Sequence, residues 1–164
     1  LPILPGNIIL KTNYGSLGAL TLDFTNITTL TLTRRIARTR IDGTHMRNSK
    51  LLIDFTGILN LTANLVGVYT FNFALIMTCK SNKVSQTLTT FSFNFLNRIV
   101  SAEDSRTLKF EYSPDNDLCE NLCEDCFCYT LELTSIQASN NSIFTFNISS
   151  GVISILAIDS KKSS

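Results

Sequence analysis

The chain reads as an all-β protein, because apolar and polar residues alternate with a period of two along most of its 164 residues. Composition points the same way. Thr, Ser and Asn are abundant, Phe dominates the aromatics, Trp is absent, and only 16% of residues are charged. Thr and Phe suit a pleated, half-buried surface, and Asn and Ser suit the turns between strands. Helical periodicity persists nowhere beyond a turn or two. One domain of this length buries a sizeable core without needing metals or disulfides.

The first segment is expected to stand apart. Leu1 to Gly6 carries two prolines, which hold it extended and deny it full sheet pairing. Ile3, Leu4, Ile8, Ile9 and Leu10 make it apolar, and Gly15 and Gly18 read as a hinge. Residues 1–18 are thus an extended N-terminal arm, 19–159 the sandwich domain, and 160–164 a disordered polar tail.

The strand runs follow in order. Leu20, Leu22 and Phe24 alternate with Thr21, Asp23 and Thr25, and Leu30 and Leu32 with their threonine neighbours. Next come Tyr69 to Leu75, Phe91 to Phe95, and Leu108 to Tyr112. Tyr129 to Leu133, Phe144 to Ile148 and Ile153 to Ala157 complete the set. Roughly nine or ten strands at this spacing predict an antiparallel β-sandwich of the jelly-roll type. Two charged stretches interrupt the pattern. Arg34 to Lys50 holds four further arginines and the lone histidine, His45, and Glu103 to Asp125 is acidic.

Four of the five cysteines, Cys119, Cys123, Cys126 and Cys128, fall within ten residues, and Cys79 ends an earlier strand. A zinc site of four thiolates normally uses two separated CxxC knuckles, and this single run is too short to wrap one ion. Buried reduced thiols fit poorly with so dense a cluster, since exposed thiols oxidise. Disulfides, some of them between chains, fit best. The odd total leaves at least one thiol free or bonded to another chain.

Catalytic chemistry has little to stand on. His45 lies in an Arg-rich loop with no nucleophile or phosphate-binding motif beside it, so no enzyme is expected. Asp115, Asp117, Glu120 and Asp125 lack the Gly turn and spacing of a calcium loop, so neither metal nor cofactor is assigned. The basic stretch lacks interleaved aromatics, and the net charge is +1, so nucleic acid is not an expected partner. No apolar run reaches membrane-spanning length. The chain opens on Leu1 without a signal-like segment, consistent with a removed leader or with a fragment.

From Leu51 to Ala157 the chain resembles a family of small proteins of anaerobic spore-forming bacteria. The matching residues are Leu75-Ile-Met-Thr-Cys79, Phe91-Ser-Phe-Asn-Phe95, Phe110-Glu-Tyr112, and the cysteine run followed by Tyr129-Thr-Leu-Glu-Leu133. Here Phe127 separates Cys126 from Cys128, where that family places cysteines side by side. More widely, the chain is similar to spore-surface jelly-roll proteins, the exosporium basal proteins and endospore appendage subunits. That resemblance implies a structural subunit on a spore or cell surface, polymerising head to tail with copies of itself and contacting other spore-surface proteins. In this picture the arm adds a strand to a neighbour's sheet edge, and cysteines cross-link the subunits; the alternative for the same segment is that it is simply the first strand of its own domain. The competing expectation is a monomeric, secreted, adhesin-like binding domain.

Overall fold

The computed structural model describes residues 8–41, 49–113 and 127–159. Eight antiparallel strands fill these residues: β1 (Ile8–Asp23), β2 (Thr29–Ile41), β3 (Ser49–Ala63), β4 (Gly67–Cys79), β5 (Ser85–Asn97), β6 (Glu103–Tyr112), β7 (Phe127–Ala138) and β8 (Ile143–Asp159). They form two four-stranded sheets, ordered β1-β8-β3-β6 and β2-β7-β4-β5. Only the β4–β5 hairpin stays within one sheet; every other connection crosses between them, which is the jelly roll.

Eight strands replace the nine or ten expected, because two pairs of runs are each one long strand. Phe144–Ile148 and Ile153–Ala157 join in β8, which bends at Ser150, held at φ 54°, and Gly151. Ile8–Leu10 and Leu20–Phe24 fall together in and just after β1. The expected boundary at residue 18 therefore does not exist: residues 8–18 are strand, not arm and hinge. Ile8, Ile9 and Leu10 pair with Ile158, Ala157 and Leu156 of the same chain, so β8 already supplies the partner that a neighbour was expected to offer. The tail at 160–164 lies outside the described residues.

The charged stretches are also more regular than the sequence suggests. Arg34 to Ile41 is the second half of β2, where register shifts against β7 fall between Thr31 and Arg34 and between Arg35 and Ala37. Each bulge adds a residue to one strand and resets which face a side chain takes. Arg34 and Arg35 are consecutively exposed, and Ile36 and Ala37 consecutively buried, so strict alternation fails although the strand continues.

Rings fill the space between the sheets. Phe24 and Tyr69 pack on Phe144, Phe71 on Phe146, and Phe73, Phe55 and Phe91 on Phe110. Most of these are fully buried, with aliphatic residues such as Leu59, Leu61, Leu108, Ile153 and Ile155 between them. At one end the loops are short and tied by side chains. Tyr69 donates its hydroxyl hydrogen to the Leu65 carbonyl at 3.1 Å and lies 2.9 Å from Ser142 Oγ. Asn140 donates to the Val66 carbonyl and the Ile143 amide to Asn64.

The two lateral edges of the sandwich differ. At one, β1 closes against β2, and Asn13 donates to the Arg38 carbonyl at 2.6 Å. Gly15 makes that closure possible, because a Cβ there would collide with Ala37 and the Ile36 carbonyl. A Cβ on Gly151, which pairs with Gly15, would strike the Gly15 carbonyl. These positions need the absence of a side chain rather than flexibility, in contrast to the hinge expected at Gly15. At the other edge β5 and β6 barely meet, and Arg106 bridges them by donating to the Leu96 carbonyl at 3.3 Å.

Gly15→Ala and Gly151→Ala are each expected to destabilise the fold by about 1–3 kcal/mol, the usual overpacking cost. Thermal unfolding followed by circular dichroism should show both variants melting several degrees below wild type, with Gly18→Ala, where the added Cβ meets open space, unchanged.

Candidate assembly surfaces

Strand pairing decides which side chains share a surface, and the two outer faces differ at one end. On the outer face of β2-β7-β4-β5, polar side chains align in rows across the strands. Ser92 donates to Asn72 at 2.9 Å, and Asn72 in turn donates to Ser135 at 2.9 Å, linking β5, β4 and β7. Thr70 donates to Asn94, and Thr78 and Ser85 lie 2.8 Å apart. Arg35, Arg38 and Arg40 of β2 stand beside Glu132, Thr130 and Cys128 of β7 in the same face.

The outer face of β1-β8-β3-β6 is apolar at one end. Pairing sets Ile8 beside Ile158 and Lys50 in one row, and Leu10 beside Leu156 and Leu52 in the next. A third row holds Thr12, Ser154, Asp54 and Glu111, and a fourth Tyr14, Val152, Thr56 and Lys109. Ile8 is 62% exposed, Leu10 61%, Ile158 43%, Leu52 39% and Tyr14 85%. Single exposed apolar side chains are ordinary, and here several of them are contiguous at one end of a sheet. Farther along the same sheet the face turns polar again: Asn60 donates to Asn147 at 2.7 Å, and Ser105 donates to Asn60.

The cysteines divide. Cys79 is buried at the end of β4 and is disulfide-bonded. Cys128, partly exposed on β7 between Arg40 and Thr78, is a free thiol. Cys119, Cys123 and Cys126 lie outside the described residues, as do Ile3, Leu4, His45 and the carboxylates from Asp115 to Asp125. Among the described residues no group of three or more His, Cys, Asp and Glu side chains could hold a metal ion. A cleft between Ile53, Phe55, Leu75, Phe91, Phe110 and Leu131 has a volume of about 10 Å³, room for one water at most. No helix among the described residues is long and apolar enough to cross a membrane.

Of the residues expected to dock a neighbour, Ile8 and Leu10 do face outward on this surface, whereas Ile9 turns toward the core. Sequence reasoning missed Leu52, Leu156, Ile158 and Tyr14. A signal was present. In Ile155-Leu156-Ala157-Ile158 both parities are apolar, so one of the two sets had to face away from the core.

A family model covers residues 8–158, from the start of β1 to the last residue but one of β8. The chain belongs to the family described as Domain of unknown function (DUF4489). No curated protein matches this DUF4489 chain. Among solved structures it is similar to a chain in the structure of infectious bursal disease virus Gt strain, with TM-score 0.53 and 9% identity over 96% of this chain. The infectious bursal disease virus VP2 subviral particle follows at TM-score 0.47 and 10% identity over 94% of this chain. The DUF4489 chain spans about a third of the length of these viral chains, 34% and 38%. Eiger TNF from S. frugiperda, at TM-score 0.37 and 8% identity, is covered over 98% of both chains. At these identities the likeness shows the fold alone.

One ionic contact supports the sparse edge of the DUF4489 sandwich. Arg106 donates to Asp104 at 2.7 Å, and its guanidinium lies 5.0 Å from the centre of the Phe95 ring. The Arg106 hydrogen bond holds the Asp104 carboxyl below its ordinary value of 3.8. A carboxylate with a lowered folded pKa adds stability above the unfolded value and loses it as the pH falls through the folded one. Asp104→Asn is therefore expected to melt below wild type at neutral pH, with the gap closing under acid below the ordinary value; a melting series against pH measures it.

Proposed function

We propose that this chain is a structural subunit that assembles with copies of itself into an extracellular fibre or spore-surface layer. The observation that carries this reading is the apolar end of the β1-β8-β3-β6 face, where Ile8, Leu10, Leu52, Leu156 and Ile158 form one outward group. An isolated subunit keeps that surface in water, and burial against another copy recovers the hydrophobic free energy, about 25 cal/mol per Å². The spore-surface location rests on the resemblance of the Cys-rich run before Tyr129 to proteins of spore-forming bacteria. The reading assigns the chain no catalytic role.

Assembly by an arm that adds a strand to a neighbour's sheet is replaced here by face packing. Residues 8–10 are engaged at home with β8. β1, at the edge of its sheet and flanked by β2, also carries Lys11, which pairs with Ile155 on the inward-facing parity and yet is exposed. A charge placed so at a sheet edge discourages a further strand. Cysteines of the 119–128 run, with the free thiol of Cys128, would then lock non-covalent contacts covalently.

A second reading, a monomeric surface domain that binds a polar ligand, is favoured by the hydroxyl and amide rows on the β2-β7-β4-β5 face. A denaturing gel of native material with and without reductant separates the two. The assembly reading expects a ladder that collapses to the monomer band only with reductant, or a non-covalent oligomer in sedimentation at neutral pH. Monomer in both lanes together with monomeric sedimentation would sink it and leave the ligand-binding reading standing.

A further inference from the structure

Resting on the assembly reading, the geometry points to a defined contact: two copies pack the apolar end of their β1-β8-β3-β6 faces together about a two-fold axis running along the row Leu10–Leu156–Leu52. We infer this from the register, the exposed area and the placement of charge.

Register comes first. The row Leu10–Leu156–Leu52 crosses three adjacent strands and is entirely apolar. A two-fold axis along it turns the flanking rows onto one another, so that the Ile8–Ile158–Lys50 row of one copy faces the Thr12–Ser154–Asp54 row of its mate. Lys50 and Asp54 sit two residues to either side of Leu52 on β3, on the same outer face. The rotation therefore sets each Lys50 against the other copy's Asp54. Neither has an ion-pair partner among the described residues, since the two ion pairs found there are Arg106–Asp104 and Lys109–Glu111. Self-complementarity of this kind is what an isologous contact requires and what an unrelated partner would match only by chance.

Area agrees. At about 200 Å² for a large side chain, the exposed fractions of Ile8, Leu10, Ile158 and Leu52 leave about 400 Å² of apolar surface. Leu156 with the residues of the two flanking rows, Lys50, Thr12, Ser154 and Asp54, brings one copy to about 600 Å². Two copies would then bury about 1,200 Å², the lower end of the range for specific protein interfaces. Face-to-face sheets pack well when both are right-handedly twisted, as in the sandwich itself. A two-fold contact closes on itself, so it supplies a dimeric building block and leaves further growth to other contacts.

Sedimentation velocity of the full chain, under reductant to remove disulfides and over a dilution series spanning the micromolar range, tests the contact. The expected result is a monomer–dimer equilibrium that Leu10→Lys weakens at least tenfold; residue 10 is on an edge strand and exposed, and a melting curve verifies that the variant folds. Lys50→Glu should also weaken the dimer, and adding Asp54→Lys to it should restore the dimer. Association untouched by Leu10→Lys, or no rescue by the double variant, overturns the two-fold contact. If non-reduced material still forms higher species in that case, the assembly reading survives without this interface. If reduced and non-reduced chains are both monomeric throughout, both readings fall. A monomeric chain whose melting temperature drops on Leu10→Lys would mean that the face is covered by the chain's own N-terminal residues, which also overturns the proposal.

Discussion

The distance between the two sheets is set by phenylalanine and tyrosine rings, and the rest of the molecule accommodates that spacing. Tyr69 and Phe71 meet Phe144 and Phe146 edge-on and Phe73 meets Phe110 tilted across the interior, with centroids 4.8 to 5.1 Å apart, and Phe91 stacks on Phe110 at 4.6 Å. Rings prefer such arrangements because their electron-poor edges meet electron-rich faces. Where the sandwich must close, the rings give way to Gly15 and Gly151, and two backbones come to distances that no Cβ would tolerate. One lateral edge is thereby sealed by backbone, and the other is left to Arg106 and partly exposed Phe91 and Phe93.

The same layer explains why so many hydroxyl and amide side chains are carried on the surface. Most inward positions of the strands are claimed by apolar groups, so the outward positions take residues that keep strand geometry and tolerate water. Threonine does both, because its branched Cβ favours extended backbone and its hydroxyl hydrogen-bonds across strands. The chain needs few charges for this, and its surface ion pairs, apart from Arg106–Asp104, hold little of the structure. Against that polar background an apolar cluster on an outer face is a departure from the pattern, and it occurs at one place where three adjacent strands depart from it together.

How β1 is used changes the mechanism by which such a domain could associate. A donated strand would leave the apolar N-terminal residues unpaired in the isolated chain. Here they complete the sheet of their own domain, and their outward side chains join those of β8 and β3. Association then buries side chains rather than forming backbone ladders. It depends on hydrophobic area and on the placement of Lys50 and Asp54, with disulfide chemistry as a separate, covalent layer.

The sequence by itself determined the all-β class and many of the core residues, because period-two alternation maps directly onto the two faces of a strand. It did not mark most of the β3 core, such as Leu59 and Leu61, or Ile36 and Ile41 of β2. Tyr69, Phe71 and Phe73, or Ile153 and Ile155, are legible as core from spacing alone. It did not reveal that β1 and β8 are single strands, since a bulge or a bend interrupts the alternation without ending the pairing. Nor did it reveal that Arg34 to Ile41 continues β2, for the same reason. The candidate surface was half legible: Ile8 and Leu10 drew attention as apolar residues without an obvious partner, whereas Leu52, Leu156 and Ile158 looked like ordinary members of apolar runs. Only tertiary structure could join them, because residues 10, 52 and 156 become neighbours through strand pairing between segments far apart in the chain, and sequence periodicity carries no information about which strands lie side by side.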